Sequence, residues 1–275
     1  MAMNPKLLRP RSTIHPEAAD WANRVRANSG SVSGTTLNAV SKFCVAIQQA
    51  NIRDRFYRMG IFAGSNLAAA LVPLYRGPSL GGTQYGSSTD TNNGPFVSGD
   101  YAETGASGGL TGDGTSKYLD TGFAMNTLPS TTSGHAAVYC RNRSSSSTFR
   151  GMVGVGLAAG TGFGVATDAT VYAEWGNFAN ASNNTNGLIV ASRVSSTSLT
   201  AYVAGSSIAT NTTSITPTAS SLAAALFVSR NSAVSHSFFD NRSYGFYSIG
   251  LGLTASQVAS LTTAVNALQT ALGRA

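Results

Sequence analysis

Very little of this chain is charged, and the shortage rules out several kinds of chemistry. Only 11% of its 275 residues are Asp, Glu, Lys or Arg, against roughly 25% in typical domains, so polarity comes from Ser, Thr, Asn and Gly. Acidic residues number eleven and form no DxDxDG cluster, so the chain offers no calcium loop. Carboxylates also lack the Glu-x-Asp-x-x-Glu alternation that would put two of them about 5 Å apart on a strand face for retaining glycoside hydrolysis. Cys44 and Cys140 are the only cysteines, and without CxxC spacing or a nearby His pattern they read as small apolar core residues. Long apolar runs are missing too. Leu67–Leu74 falls far short of the roughly 20 residues that span a bilayer, and Met1–Ile14 has no run of signal-peptide length. No membrane insertion is expected, and work outside a cell would need another exit, such as host lysis.

What charge there is sits unevenly. Met1–Arg76 carries ten Lys/Arg against Glu17, Asp20 and Asp54, whereas the remaining residues hold eight of each sign. A basic front on a neutral Ser/Thr/Gly-rich body predicts two jobs, with the front meeting an acidic partner. Arg outnumbers Lys fifteen to three, which favours lasting contacts with carboxylates, because the guanidinium engages them in bidentate fashion. Lys6, Arg9 and Arg11 on an irregular arm, with Arg24 and Arg26 behind them, are therefore candidate docking residues. A basic arm could also lie against nucleic-acid phosphates. The modest charge and the apolar neighbours of Arg24, Arg26 and Arg53–Arg58 argue for a protein partner instead. Some of these cations should pair internally, as Asp54 with Arg58 at helical i,i+4 spacing.

Three stretches follow one another: a basic arm and helical hairpin over Met1–Arg76, a Gly/Ser/Thr/Asn-rich stretch over Gly77–Gly109, and a β body from Leu110 to Ala275. Pro16 at a first turn, acidic Glu17 and Asp20 near the start, Arg24 and Arg26 near the end and Gly30 as a stop predict one helix. Leu37, Val40, Phe43, Cys44 and Ile47 predict a second, from Thr35 or Thr36 to Ala50. Phe56–Phe62 and Leu71–Tyr75 read as extended. Gly77–Gly109 reads as loop, long enough to wrap a neighbouring subunit. Short strands are expected at Tyr118–Phe123, Ala136–Arg141, Met152–Val155, Gly164–Ala166, Thr170–Trp175, Leu188–Arg193, Ser198–Val203, Ala225–Ser229 and Phe246–Gly250, which together argue for an antiparallel sandwich. Thr254 caps a closing helix with Val258, Leu261, Val265, Leu268 and Leu272 on one stripe.

Two segments add a resemblance. Leu110-Thr-Gly-Asp-Gly-Thr-Ser-Lys-Tyr-Leu-Asp-Thr-Gly resembles the opening strand of LamG-like, concanavalin A-type jelly rolls, and Phe239–Val258 is similar to that family's last strand and its following helix. Asn51-Ile-Arg-Asp-Arg-Phe-Tyr-Arg and Asn66-Leu-Ala-Ala-Ala-Leu-Val-Pro-Leu-Tyr-Arg-Gly look like N-terminal segments of structural proteins from tailed bacteriophages. The resemblance implies a mainly β jelly-roll sandwich with an N-terminal helical hairpin and a C-terminal helix. It also implies a non-enzymatic virion component in head, neck or tail, homo-oligomeric and docked on other virion proteins through its front, assembled in host cytoplasm and released by lysis. The alternative is a glycan-binding adhesion module, since the family often binds glycans at one edge, sometimes with calcium. Asp113 beside Gly114 reads as a turn residue, and no cofactor or metal is expected.

Candidate chemistry outside the front is thin. Glu174 beside Trp175 is the one carboxylate and indole pair on an expected strand. His15, His135 and His236 have no G-x-S-x-G elbow to serve, and Gly105–Gly114 lacks the G-K-[ST] ending of a phosphate loop. Trp175, Tyr172 and Phe178 are the candidate glycan contacts, with Tyr85 and Tyr101 behind them, because aromatic residues on loops are the expected contacts for a sugar.

Overall fold

The computed structural model describes residues 14–143, 147–157, 161–218 and 220–274. The chain opens with α1 (Pro16–Ala27) and α2 (Gly34–Gln49). Their starts are fixed locally: the His15 ring accepts the Glu17 N–H at 3.3 Å, and Ser33 Oγ accepts the Thr36 N–H at 3.0 Å. β1 (Phe56–Gly60) follows, then a single turn α3 (Leu67–Ala70) capped by Asn66. The extended reading of Leu71–Tyr75 is thus corrected at its start, where Leu71 closes α3 in helical conformation, while Tyr75 does bridge to Met59.

The stretch expected to be loop contributes β2 (Thr91–Asn93) and β3 (Tyr101–Ala102), and it wraps its own sandwich. The body supplies β4 (Gly109–Thr111), β5 (Tyr118–Ala124), β6 (Gly134–Cys140), β7 (Arg150–Val155), β8 (Phe163–Thr167), β9 (Thr170–Trp175), β10 (Phe178–Ser182), β11 (Gly187–Ser195), β12 (Ser198–Val203) and β13 (Ser206–Asn211). It ends with β14 (Ala223–Leu226), the short pair β15 (Ser229–Arg230) and β16 (His236–Ser237), β17 (Ser243–Gly250) and α4 (Ala255–Ala271). Thr254 and Gln257 close a reciprocal capping box at the start of α4.

Two antiparallel sheets face each other. One runs β13-β12-β11-β6-β17-β4-β3, with β1 also paired to β17; the other runs β10-β9-β8-β7-β14-β5-β2 and carries the β15–β16 hairpin. The protein is therefore a mainly β sandwich with helices at both ends. Strand alternation sorts the side chains of the first sheet. Val138, Ile189, Ala191, Tyr247 and Ile249 enter the core between the sheets, whereas Ala137, Leu188, Val190, Tyr202 and Phe246 face outward into a second core under α1, α2 and α4. That second core holds Trp21, Phe43, Val258, Leu261 and Val265.

Cys44 and Cys140 are both buried free thiols. Arg58 does not pair with Asp54, because Arg53–Arg55 is a single tight turn and Arg58 lies in an extended strand, where i,i+4 residues do not meet. It reaches Asp90 at 2.6 Å instead, and Tyr247 Oη donates to the same carboxylate at 2.7 Å. Further Arg58 bonds to the Tyr85 and Ser87 carbonyls tie the front, the Gly-rich stretch and β17 into one sealed cluster.

Candidate functional site

The second sheet turns its outer face away from every helix core, and on that face aromatic rings line up. In β9, Val171, Ala173 and Trp175 point into the inter-sheet core, so Thr170, Tyr172 and Glu174 point outward. In β10 the buried residue is Ala179, which sends Phe178 and Asn180 outward. Register then places Asn180, Tyr172, Ala166 and Gly151 side by side across β10, β9, β8 and β7. Ala166 is small, and the space beside Gly151 is taken by the Val228–Ser229 backbone. Phe149, two positions before Gly151, lies 5.2 Å from Tyr172; Phe178 is 6.0 Å from Tyr172 on its other side, and Phe238 is 4.9 Å from Phe149. Phe178, Tyr172, Phe149 and Phe238 thus form one stripe of partly exposed rings.

The stripe is fixed in place by backbone. Phe238 is 42% exposed, and its φ of 60° is a conformation that bulky residues rarely adopt. The Gly151 N–H donates to the Phe238 carbonyl at 2.8 Å and holds it there. A Cβ on Gly151 would come within 2.4 Å of the Ser229 nitrogen, so only glycine lets the β15 segment cross this face. Asp168, in the turn between β8 and β9, accepts the Thr170 N–H at 2.6 Å and the Tyr172 hydroxyl at 3.1 Å. Burial, and next the bond to Asp168, push the Tyr172 phenol above its ordinary range. No ion pair among the described residues includes Asp168. Farther along the same sheet Tyr118 and His236 stack at 4.3 Å, beside the Asp120–Arg230 ion pair at 2.5 Å.

Of the three candidate sugar contacts, the structure brings Tyr172 and Phe178 together and sends Trp175 elsewhere. Trp175 is 1% exposed, packs edge-on against Phe163 at 5.2 Å and donates its indole N–H to the Thr131 carbonyl at 3.0 Å. The physical reason is parity: residues 172 and 175 on one strand cannot share a face. Tyr85 and Tyr101 are also spent on packing, Tyr85 against Tyr57 and Phe123, and Tyr101 through a hydroxyl bond to the Gly64 carbonyl at 2.7 Å. Phe149 and Phe238 escaped the sequence reading. Phe238 did carry a signal, as half of a Phe-Phe pair inside a polar loop, whereas nothing local marks Phe149.

Of the front's candidate docking cations, Arg24 and Arg26 are held in different ways. Arg24 donates to the Pro73 and Leu74 carbonyls at 2.6 and 2.9 Å and pairs with Asp20 at 2.8 Å, so it staples α1 to the chain beyond α3. Arg26 is exposed and bonds only its neighbour Asn23. Lys6, Arg9 and Arg11 lie outside the described residues.

Other chemistry-bearing groups are held by the protein itself. Fully buried Glu174 accepts the Gly162 N–H at 2.8 Å. Asp240 is sealed against Arg242 and the Tyr244 hydroxyl. Asp113 accepts the N–H groups of Thr115, Ser116 and Lys117, as a turn residue does. His135, with no exposed surface, bonds the Leu251 carbonyl and Ser248, and burial pulls its pKa down to about 4. His15, Glu17 and Cys44 bring a nitrogen, an oxygen and a sulfur within 4.8 Å of one another. Even so, His15 is bonded to Gln48, Glu17 is paired with Arg53 at 2.6 Å, and burial pushes the Cys44 thiol up to about 12. The Arg53 charge beside them opposes a metal ion.

No family model and no curated protein matches this chain. Among solved structures, domain 4 of AbnA, an extracellular arabinanase from Geobacillus stearothermophilus in complex with arabinotriose, aligns at 14% identity over 76% of this chain and 98% of that one, with a TM-score of 0.47. A Trypanosoma rangeli sialidase aligns at 8% identity over 82% and 39%, with a TM-score of 0.48. The NanB sialidase of Streptococcus pneumoniae aligns at 11% identity over 55% of this chain and a TM-score of 0.42, and the match spans about a quarter (26%) of NanB.

Proposed function

We propose that this chain is a carbohydrate-binding β sandwich that lays a sugar chain across the outer face of its helix-free sheet. One observation carries the reading: Phe178, Tyr172, Phe149 and Phe238 form a contiguous, partly exposed stripe held on paired strands. Such rings offer flat apolar faces to the C–H side of a pyranose, with polar groups beside them for its hydroxyls, here Asn180 and Asp168. Soluble domains rarely leave apolar surface contiguous without a partner to cover it. Rings on a preformed platform also lose little freedom when a ligand arrives. The chemistry proposed is binding, because Glu174, Asp90 and Asp240 are all buried and committed to protein donors.

A glycan array tests it, with the wild type beside Tyr172→Ala and Phe178→Ala. Binding by the wild type that both variants lose, at unchanged melting temperature, is the expected result. A wild type that retains no glycan would overturn the reading.

A second reading concerns where the module is carried. α1, α2 and α4, with exposed Arg26 and Lys42, cover the face opposite the stripe. A particle that held the protein by its helices would therefore display the stripe outward, as the virion role implied by the front's resemblance requires. Proteomics of purified particles tests that setting, and absence of the chain from them would end it.

A further inference from the structure

We infer that the stripe selects neutral sugar chains and rejects acidic ones; the inference rests on the carbohydrate-binding reading and adds the class of sugar. It follows from how charge is arranged around the rings. Asp168 is the carboxylate that touches the stripe, and its known partners are the Tyr172 hydroxyl and the Thr170 N–H, both uncharged. No cation answers it among the described residues.

Among the described residues, the arginines around the stripe spend donors on backbone carbonyls or on Asp120. Arg150, next to Phe149, donates to the Phe239 and Gly114 carbonyls at 2.5 and 3.3 Å. Arg143, only 8% exposed, donates to the carbonyls of Asn183 and Thr185 beyond the end of β10. Arg230 is paired with Asp120. Recognition of a sialic or uronic acid carboxylate needs a free guanidinium fork or comparable donors, and this face presents a carboxylate instead. A neutral pyranose suits it better, since its hydroxyls donate to Asp168 and to the Asn180 oxygen while its C–H face covers Tyr172 and its neighbours. An acidic sugar on the same rings would put like charges close together, which suppresses binding of the wrong partner.

The test is an array in which each neutral oligosaccharide stands beside its sialylated or C6-oxidised uronate form, read with wild type and Asp168→Asn. Asn keeps an oxygen for the Thr170 N–H and turns an amide N–H to the Tyr172 hydroxyl, which accepts it, and a thermal melt confirms that the turn survives. For the wild type the expected preference is about fivefold or more for the neutral member of each pair, the size of a like-charge contact near 4 Å in water. In Asp168→Asn that preference should fall toward one, and in the wild type it should shrink with added salt. Equal or tighter binding of the acidic members by the wild type would overturn the inference while leaving carbohydrate binding intact. An unchanged ratio in a folded Asp168→Asn would equally overturn it. Binding of neither member would instead remove the reading beneath it.

Discussion

The two sheets share one inter-sheet core but differ in what they do with their outer faces. On the first sheet, Ala137, Leu188, Val190, Tyr202 and Phe246 point outward and are covered by three helices. On the second, the outward positions include Phe178, Tyr172, Asn180, buried Glu174 and small residues such as Ala166, and the β15–β16 segment crosses part of the face. Outward positions that are apolar without interruption recruit a permanent cover, because burying each large side chain contributes about 1.5–3 kcal/mol. Rings interleaved with polar groups form a face that remains available. Cations do not follow that division: Arg24 and Arg53 are internal staples on the helix side, and Arg230 is paired with Asp120 on the other sheet.

The comparison breaks first where the covered side is sealed. Asp90→Ala leaves Arg58 buried without its counter-charge and should cost about 3–5 kcal/mol, read as a shift of the urea midpoint. Full retention of the midpoint would mean that the front is not locked to β17 as described. Trp21→Ala, beneath the helices, should cost about 3–5 kcal/mol through the cavity it opens and the lost bond to the Val72 carbonyl.

Acid should reach the covered side through His135. Its folded pKa of about 4 lies below the ordinary 6.5, so between those values the unfolded chain binds the proton and the folded one does not. Stability from this group is complete above pH 6.5, falls as the pH drops toward 4 and levels off below. The loss approaches about 3 kcal/mol. Urea melts at pH 7 and pH 4.5 check this, and His135→Gln should flatten that limb.

The same class of substitution on the other sheet should behave differently. Tyr172→Ala and Phe178→Ala should each change stability by about 1 kcal/mol or less while removing sugar binding, and a loss as large as that of Trp21→Ala would make the stripe a structural core. Smallest of all, Arg26→Ala should stay within about 0.5 kcal/mol and leave sugar binding untouched.

Helices were the most legible elements, since capping residues and 3.6-residue stripes are local signals: Pro16 and Thr254 mark true starts, while the second helix opens at Gly34, just before the expected Thr35 or Thr36. Thr170–Trp175 and Ser198–Val203 could be read to the residue, because both alternate clearly. Phe178–Ser182 and Ser206–Asn211 could not, as Phe-Ala-Asn-Ala-Ser and Ser-Ser-Ile-Ala-Thr-Asn lack an apolar face of their own. They are edge strands, and a neighbour's hydrogen bonds hold them. Within the site, Tyr172 and Phe178 were visible as residues, but that they touch depends on the register between two strands.

The sequence by itself determined the fold class, the capped helices, most strands and the burial of both cysteines, because these depend on short-range periodicity and composition. Tertiary structure alone decided which aromatics reach the surface, where Arg58 finds its partner, and that Phe149 and Phe238 join Tyr172. Those outcomes depend on strand register and on a chain crossing permitted by Gly151, and contacts between residues so far apart in sequence leave no local pattern to read.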